Sequence, residues 1–254
     1  MPSVACGHAA LIDSARHEAF KGQSADVPCR IQQFATGELS PRATRGNIPE
    51  FSTLPRARKL LQCDEMLRIA IIVGSTRPGR KADAVAKWAY DIARQRGDAS
   101  FELVDIAQFN LPLLDEPMPA MSGQYNHPHT RAWSVKISSF DGYVFVTPEY
   151  NHGASGALTN AIDFLFAEWT DKAAGFIGYG YTMGARAIEH LRLVMASLQV
   201  ATVRPQVGLS LFTDFEKSTV FKPLPLQQDS LTALLDHVVG WSGALKTLRD
   251  NRGE

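Results

Sequence analysis

The 254-residue sequence predicts an α/β fold, with one doubly wound domain on a five-stranded parallel sheet. Three observations predict it. From Leu67 onward, short apolar runs alternate with amphipathic segments, the pattern of stacked βαβ units. The segments between the runs keep a 3.6-residue apolar period. Five strands with their intervening helices fit one domain of roughly 190 residues.

The first strand is expected over residues 67–73. The helix after it carries the stripe Ala82, Val85, Ala86, Ala89, Ile92 and Ala93. Further strands are expected over residues 101–105, 142–147, 175–178 and 201–209. Ile188, Leu191, Met195 and Leu198 form a second helical stripe. Leu231, Leu234, Leu235, Val238, Leu245 and Leu248 suggest a closing helix. In such a sheet the ligand lies at the loops that follow the carboxyl ends of the strands, so function is sought in three turns.

Residues 1–65 read differently. Gly, Pro, Ser and Arg interrupt every short apolar stretch there, and eight Lys+Arg against seven Asp+Glu lack the acid-poor bias of an organelle transit peptide. The expectation is a weakly structured or disordered extension ahead of a domain spanning 66–254. Met66 opens a strand directly, so a start assigned too early is a second version; a peptide map of native protein recovering residues 1–65 would defeat it.

Charge and composition exclude several classes. Lys+Arg 26 against Asp+Glu 26 gives a formal net charge of zero, which provides no field to steer the chain onto nucleic acid or an anionic membrane. No apolar run approaches the roughly 18 residues of a spanning helix. The three cysteines, Cys6, Cys29 and Cys63, fit neither a zinc pattern nor an even disulfide framework, so a reducing, cytoplasmic location is expected.

The first turn is Gly74-Ser75-Thr76-Arg77-Pro78-Gly79-Arg80-Lys81, between an apolar strand and a helix. Free amides at a helix start favour an anion, Ser75 and Thr76 offer hydroxyls, and Arg77, Arg80 and Lys81 supply positive charge for a phosphate. A Walker A loop is disfavoured, because Arg80, Lys81 and Ala82 stand where Lys followed by Ser or Thr is needed, and the magnesium-binding hydroxyl is missing. The alternative is a solvated basic turn.

The second turn, Thr147-Pro148-Glu149-Tyr150-Asn151-His152-Gly153, follows a strand and leads into Gly156-Ala157-Leu158-Thr159-Asn160-Ala161-Ile162-Asp163-Phe164. A Pro-initiated turn that presents an aromatic with acid and amide side chains suits the edge of a flat heteroaromatic ligand; otherwise it is a capped connection. Gly153-Ala154-Ser155-Gly156 is one residue short of a nucleophile elbow. His127, His129 and His152 make no metal set, the first two flanking Pro128 in an expected loop. The third turn, Gly178-Tyr179-Gly180-Tyr181-Thr182-Met183-Gly184-Ala185-Arg186, has one residue too many for a dinucleotide fingerprint. Its glycines allow close backbone approach, and Tyr179 or Tyr181 can border an aromatic ring; the alternative is a tight turn needing positive φ.

Taken together, Gly74-Ser75-Thr76-Arg77, Thr147-Pro148-Glu149-Tyr150-Asn151 with Asn160-Ala161-Ile162-Asp163-Phe164, and Tyr179-Gly180 with Gly184-Ala185-Arg186-Ala187 resemble the NADPH-dependent FMN reductase family. This is the flavodoxin-like group that includes quinone, chromate and azo-dye reductases, and the resemblance covers residues 67 to about 212. It implies a sheet of order 2-1-3-4-5 with FMN across the carboxyl ends of the strands. Ser75, Arg77 and Arg80 would hold the phosphate. Pro148, Glu149, Tyr150 and Asn151 would run beside the isoalloxazine ring, and Tyr179, Gly180 and Gly184 would close its other side. It also implies NADPH or NADH as reductant, a small-molecule electron acceptor, and a homodimer or homotetramer whose neighbouring subunit helps cover the flavin. No catalytic acid or base is demanded. Two departures stand out. Arg80-Lys81-Ala82 replaces a Ser-Phe-Asn common among relatives, and Ser155-Gly156 and Thr159 replace a Pro-Gly pair and a Lys. Two other functions share these features: a flavodoxin-type electron carrier, for which a neutral chain is unusual, and a non-catalytic mononucleotide-binding module.

Overall fold

A computed structural model describes residues 66–253. The expected extension over residues 1–65 lies outside them. Five parallel strands, β1 (Arg68–Val73), β2 (Ser100–Asp105), β3 (Gly142–Pro148), β4 (Ala173–Gly180) and β5 (Ala201–Ser210), form one sheet in the order β2-β1-β3-β4-β5. This is the order implied by the resemblance. Between them run α1 (Ala82–Ala93), α2 (Pro128–Ser138), α3 (Gly156–Asp163) and α4 (Ala185–Ser197), and α5 (Leu226–Arg252) closes the chain.

The side-chain period of two divides the strands between two cores. Ile69, Ile71, Val73, Val144, Val146 and Ile177 face α1 and α5, while Ala70, Ile72, Tyr143, Phe145 and Phe176 face α2, α3 and α4. Burial on both faces explains why the strands read as continuous apolar runs. On α1 the inward stripe is almost all alanine, Val85 excepted, which lets the helix lie close to β1. Ile92 is only partly buried at its edge.

Several boundaries move. β4 is longer than residues 175–178, because Ala173, Ala174, Tyr179 and Gly180 continue its ladders. Pro205 lies within β5, an edge strand where a missing N–H is tolerated. Residues 127–129 are no plain loop: Pro128 occupies the first turn of α2, a position where its absent amide costs nothing. On α5 burial ends at Ser242, so Leu248 faces outward. The last turns are held by charge instead, with Arg249 bonded to Asp141 Oδ1 (2.7 Å) and to the Asp171 carbonyl (2.7 Å).

A short hairpin, β6 (Phe215–Glu216) with β7 (Val220–Phe221), follows β5, where the sequence pattern predicts no strand. Its Phe215 and Phe221 pack with Tyr179 of β4 and Trp88 of α1. Buried Asp214 ties its base by accepting from the amides of Ser210 (2.9 Å) and Leu224 (3.0 Å). None of the described helices is long and apolar enough to cross a membrane.

Candidate active site

The chain leaves β1 toward α1 on one side of the sheet and reaches β3 through α2 on the other, so β1 and β3 flank a switch point where a crevice opens. All three turns meet there. Gly74 N donates to Val146 O (2.8 Å), extending the β1–β3 ladder into the first turn. A Cβ at Gly74 would stand 2.6 Å from that carbonyl oxygen and 2.8 Å from Leu158, so only glycine permits this approach. Ser75 follows, fully buried, its Oγ 3.5 Å from the Tyr150 hydroxyl of the second turn. The Glu149 amide donates to the Tyr179 carbonyl (3.1 Å), joining the second turn to the third.

The first turn separates its two arginines. Arg77 is exposed, and its guanidinium forms no ion pair or hydrogen bond among the described residues. Arg80 is committed to the protein: two parallel bonds run to the Asp105 carboxylate (2.9 and 2.5 Å), a third contact joins Asp83 (2.7 Å), and Nη1 also donates to the Ser75 carbonyl. The bond to Asp105 raises the Arg80 pKa above its ordinary value and outweighs burial. Asp105 ends β2 opposite Val73 of β1, so sheet register brings the carboxylate to the turn. The amides of Thr76 and Gly79 have no acceptor among the described residues, and α1 adds its free first-turn amides.

The second turn reverses tightly. Tyr150 and Gly153 exchange backbone hydrogen bonds (2.9 and 3.0 Å) around Asn151 at φ 49° and His152 at φ 68°, the left-handed pair of a type I′ turn. Asn tolerates this conformation better than His, and both side chains project into solvent. Ser155 then caps α3, accepting from Leu158 N (3.1 Å), while its hydroxyl donates to the Gly74 carbonyl (2.5 Å). Sequence reasoning gave Ser155 no such role, although Ser ahead of an apolar helix is a capping signal. Asn160 in α3 holds the β2–α2 crossover through the Leu114 amide (2.9 Å) and the Pro112 carbonyl (2.7 Å). Beside it, a cleft of about 340 Å³ opens between Thr76, Asn110 and Asn160.

Glu149 is the latch between the second and third turns. Its carboxylate accepts from Thr182 Oγ1 (2.7 Å), the Arg186 amide (3.1 Å) and Arg186 Nη1 (2.8 Å), at the start of α4. Burial opposes its ionisation, but these three bonds outweigh it and hold the carboxyl below the usual range. A depressed folded-state pKa contributes stability that is present above the unfolded value and is lost as pH falls through the folded one. Glu149→Gln is therefore expected to lower the melting temperature at pH 7 by a few degrees and by less in acid, below about pH 4. Equal losses at both pH values in thermal unfolding would remove the charge from this account.

The third turn places its two tyrosines differently. Tyr181 is 68% exposed and packs on exposed Phe212 (5.3 Å between ring centroids). Tyr179 is 5% exposed, its ring inside the α1–α5 core, so it has no face to offer a ligand. Its hydroxyl oxygen is buried too, near Ser75 and Tyr150. Gly184 caps α4 at φ 70°, and a Cβ there would lie 2.6 Å from Gly178 Cα. The Gly180 carbonyl receives the amides of Met183 (3.2 Å) and Leu211 (3.1 Å). Pro148 is buried at the end of β3, paired with Tyr179. The structure thus joins the three turns through the Ser75–Tyr150 and Glu149–Tyr179 contacts but gives Arg80, Glu149 and Gly184 bonds and packing within the protein. His127 and His129 lie apart, stacked on each other, with His129 Nε2 3.0 Å from Asp115. No group of metal-ligating side chains occurs among the described residues.

Comparison with known proteins bears on the family and the fold. The model of the NADPH-dependent FMN reductase family matches residues 67–214. An NAD(P)H-dependent FMN reductase of a Nectria species is 41% identical over 159 residues, 59% of this chain and 79% of that protein. A 2-hydroxy-1,4-benzoquinone reductase of a Burkholderia species is 34% identical over 145 residues, 53% and 73%. Among solved structures, the flavoenzyme NAD(P)H:(acceptor) oxidoreductase FerB from Paracoccus denitrificans superposes with a TM-score of 0.57 at 21% identity, over 70% of this chain and 98% of that one. At that identity the superposition speaks for the fold.

Proposed function

Because the chain belongs to the NADPH-dependent FMN reductase family, whose flavin is FMN and whose reductant is NAD(P)H, we propose that it reduces a small acceptor in two successive half-reactions. It is an oxidoreductase. Quinones head the acceptor classes, since relatives carry that activity in their names, followed by free flavin, azo compounds and chromate. FMN, when bound, supplies the hydride-transfer chemistry itself.

The residues fit the group. The observation that supports the reading is that one strand-to-helix turn carries an uncommitted Arg77, the buried Ser75 hydroxyl and free amides at the start of α1, with the buried Tyr179 hydroxyl, unpartnered among the described residues, close to Ser75. These donors suit a phosphate. In this proposal Ser75 and Arg77 hold the phosphate directly and Arg80 fixes the turn from behind. The backbone from Pro148 to Asn151 runs along the ring, positioned by the Glu149 latch. Gly180 and Gly184 shape the third turn on its far side. None of these groups needs to move a proton. The proposal extends to a homodimer or homotetramer in the cytoplasm, in which a second copy covers the exposed Tyr181–Phe212 pair beside the crevice.

The visible absorption spectrum is the test. Purified protein is expected to be yellow, or to become so with FMN, and to bleach when NADPH is added without air. A colourless protein that takes up no FMN would sink the proposal. Flavin that bleaches only with a protein electron donor would favour the carrier.

A further inference from the structure

The Tyr179 hydroxyl is one of three buried side-chain oxygens without a hydrogen-bond partner among the described residues, with Thr130 Oγ1 and Ser242 Oγ, and of the three it is the one beside Ser75. A buried phenol normally finds such a partner. The side chain reaches the end of β4 on the α1–α5 face, where Phe215 covers the ring. Its hydroxyl lies near Tyr150 and near Ser75, whose side chain is placed to favour the ionised phenol although no hydrogen bond of normal geometry joins them, with Arg80 and Asp83 at the start of α1 close enough to act on its ionisation. Burial pushes the phenol well above its ordinary pKa, so it stays protonated and has one proton to donate. The cost of leaving that donor unpaired is recovered only when something accepts from it.

We infer that Tyr179 reads the phosphate of the bound mononucleotide, its hydroxyl donating to a phosphate oxygen beside Ser75 and so favouring the phosphorylated flavin over riboflavin. The inference rests on the flavin reading above and assigns Tyr179 to the opposite end of the ligand from the ring. Three features carry it. The ring is buried and has no free face for stacking. The hydroxyl neighbours Ser75 and the first turn of α1, where amides and the helix dipole favour negative charge. The groups around the hydroxyl are the Ser75 and Tyr150 hydroxyls and the Arg80 guanidinium, with the one nearby carboxylate, Asp83, paired to Arg80. A neutral donor adds to such a site without the repulsion a further anion would bring.

The experiment is a pair of titrations, FMN and riboflavin, followed by quenching of flavin fluorescence, on wild type and Tyr179→Phe. The variant deletes one oxygen and keeps the ring that Phe215 packs against. Its ligand-free melting temperature is expected to equal or exceed that of wild type, because an unpaired buried oxygen has been removed. FMN affinity is expected to fall on the order of tenfold or more while riboflavin affinity stays the same. Inorganic phosphate, which has no ring, should raise the melting temperature of wild type more than that of the variant. Equal losses for FMN and riboflavin would place the hydroxyl at the ring and overturn the inference, as would unchanged affinity for both. Wild type that binds neither flavin would overturn the flavin reading, and this inference with it.

Discussion

Arg77→Ala is expected to weaken FMN binding by about 1.5 to 3 kcal/mol, the range for a hydrogen bond to a charged partner, or roughly 10- to 150-fold in dissociation constant. The ligand-free melting temperature should not change. Arg77 is exposed and its guanidinium has no partner among the described residues, so deletion breaks nothing in the folded chain. Arg80→Ala provides the contrast. Its guanidinium joins Asp105, Asp83 and the Ser75 carbonyl, with 13% of the side chain exposed, so its removal should lower the melting temperature as well as the affinity. The two arginines stand three positions apart in one basic turn, yet one is free for a ligand and the other belongs to the fold. An FMN titration of Arg77→Ala that matches wild type would remove that side chain from the phosphate site.

Gly184→Ala is expected to cost about 2 to 5 kcal/mol of stability. Roughly 1 to 2 kcal/mol comes from placing a Cβ at φ 70°, and the rest from forcing it against backbone. The contact is 2.6 Å to Gly178 Cα and 2.8 Å to Tyr179 N, and neither is the end of a flexible side chain. For a chain of this size such a loss lowers the melting temperature by about 5 to 15 °C. Displacing Tyr179 should weaken FMN binding in the same variant. Gly79→Ala controls for the backbone effect alone, since Gly79 has φ 68° but no atom within 4 Å of a built Cβ. Its expected cost is only that backbone share, about 1 to 2 kcal/mol. If calorimetry finds equal losses at the two glycines, close packing at Gly184 is not what requires glycine.

Much of the fold was legible in order along the chain. The apolar runs of β1 and β3 and the alanine stripe of α1 are local patterns, readable because a strand repeats every two residues and a helix every 3.6. The turns were legible from their Gly, Pro and Asn content, which answers to backbone geometry at each residue. The β6–β7 hairpin was not, because strands of two residues carry no period. Nor was α2, whose eleven residues bury only Thr130, Trp133 and Ile137 and begin at a proline that also reads as a turn.

At the site the same division holds for single side chains. The sequence by itself determined which residue types stand at the end of each strand, and so that the first turn is basic and hydroxylated and that the second carries an acid, a tyrosine and an amide. Only the tertiary structure decided what each one faces. Asp105 claims Arg80 because β2 pairs with β1 in a register that ends Asp105 beside Val73. Arg186 claims Glu149 because α4 starts beside the end of β3. Tyr179 loses its ring to the core because residues 215–221, more than thirty positions later, fold over it. Periodicity and turn chemistry act between near neighbours and are written in the chain, whereas a partner's identity depends on strand order and register, which exist only once the sheet has assembled.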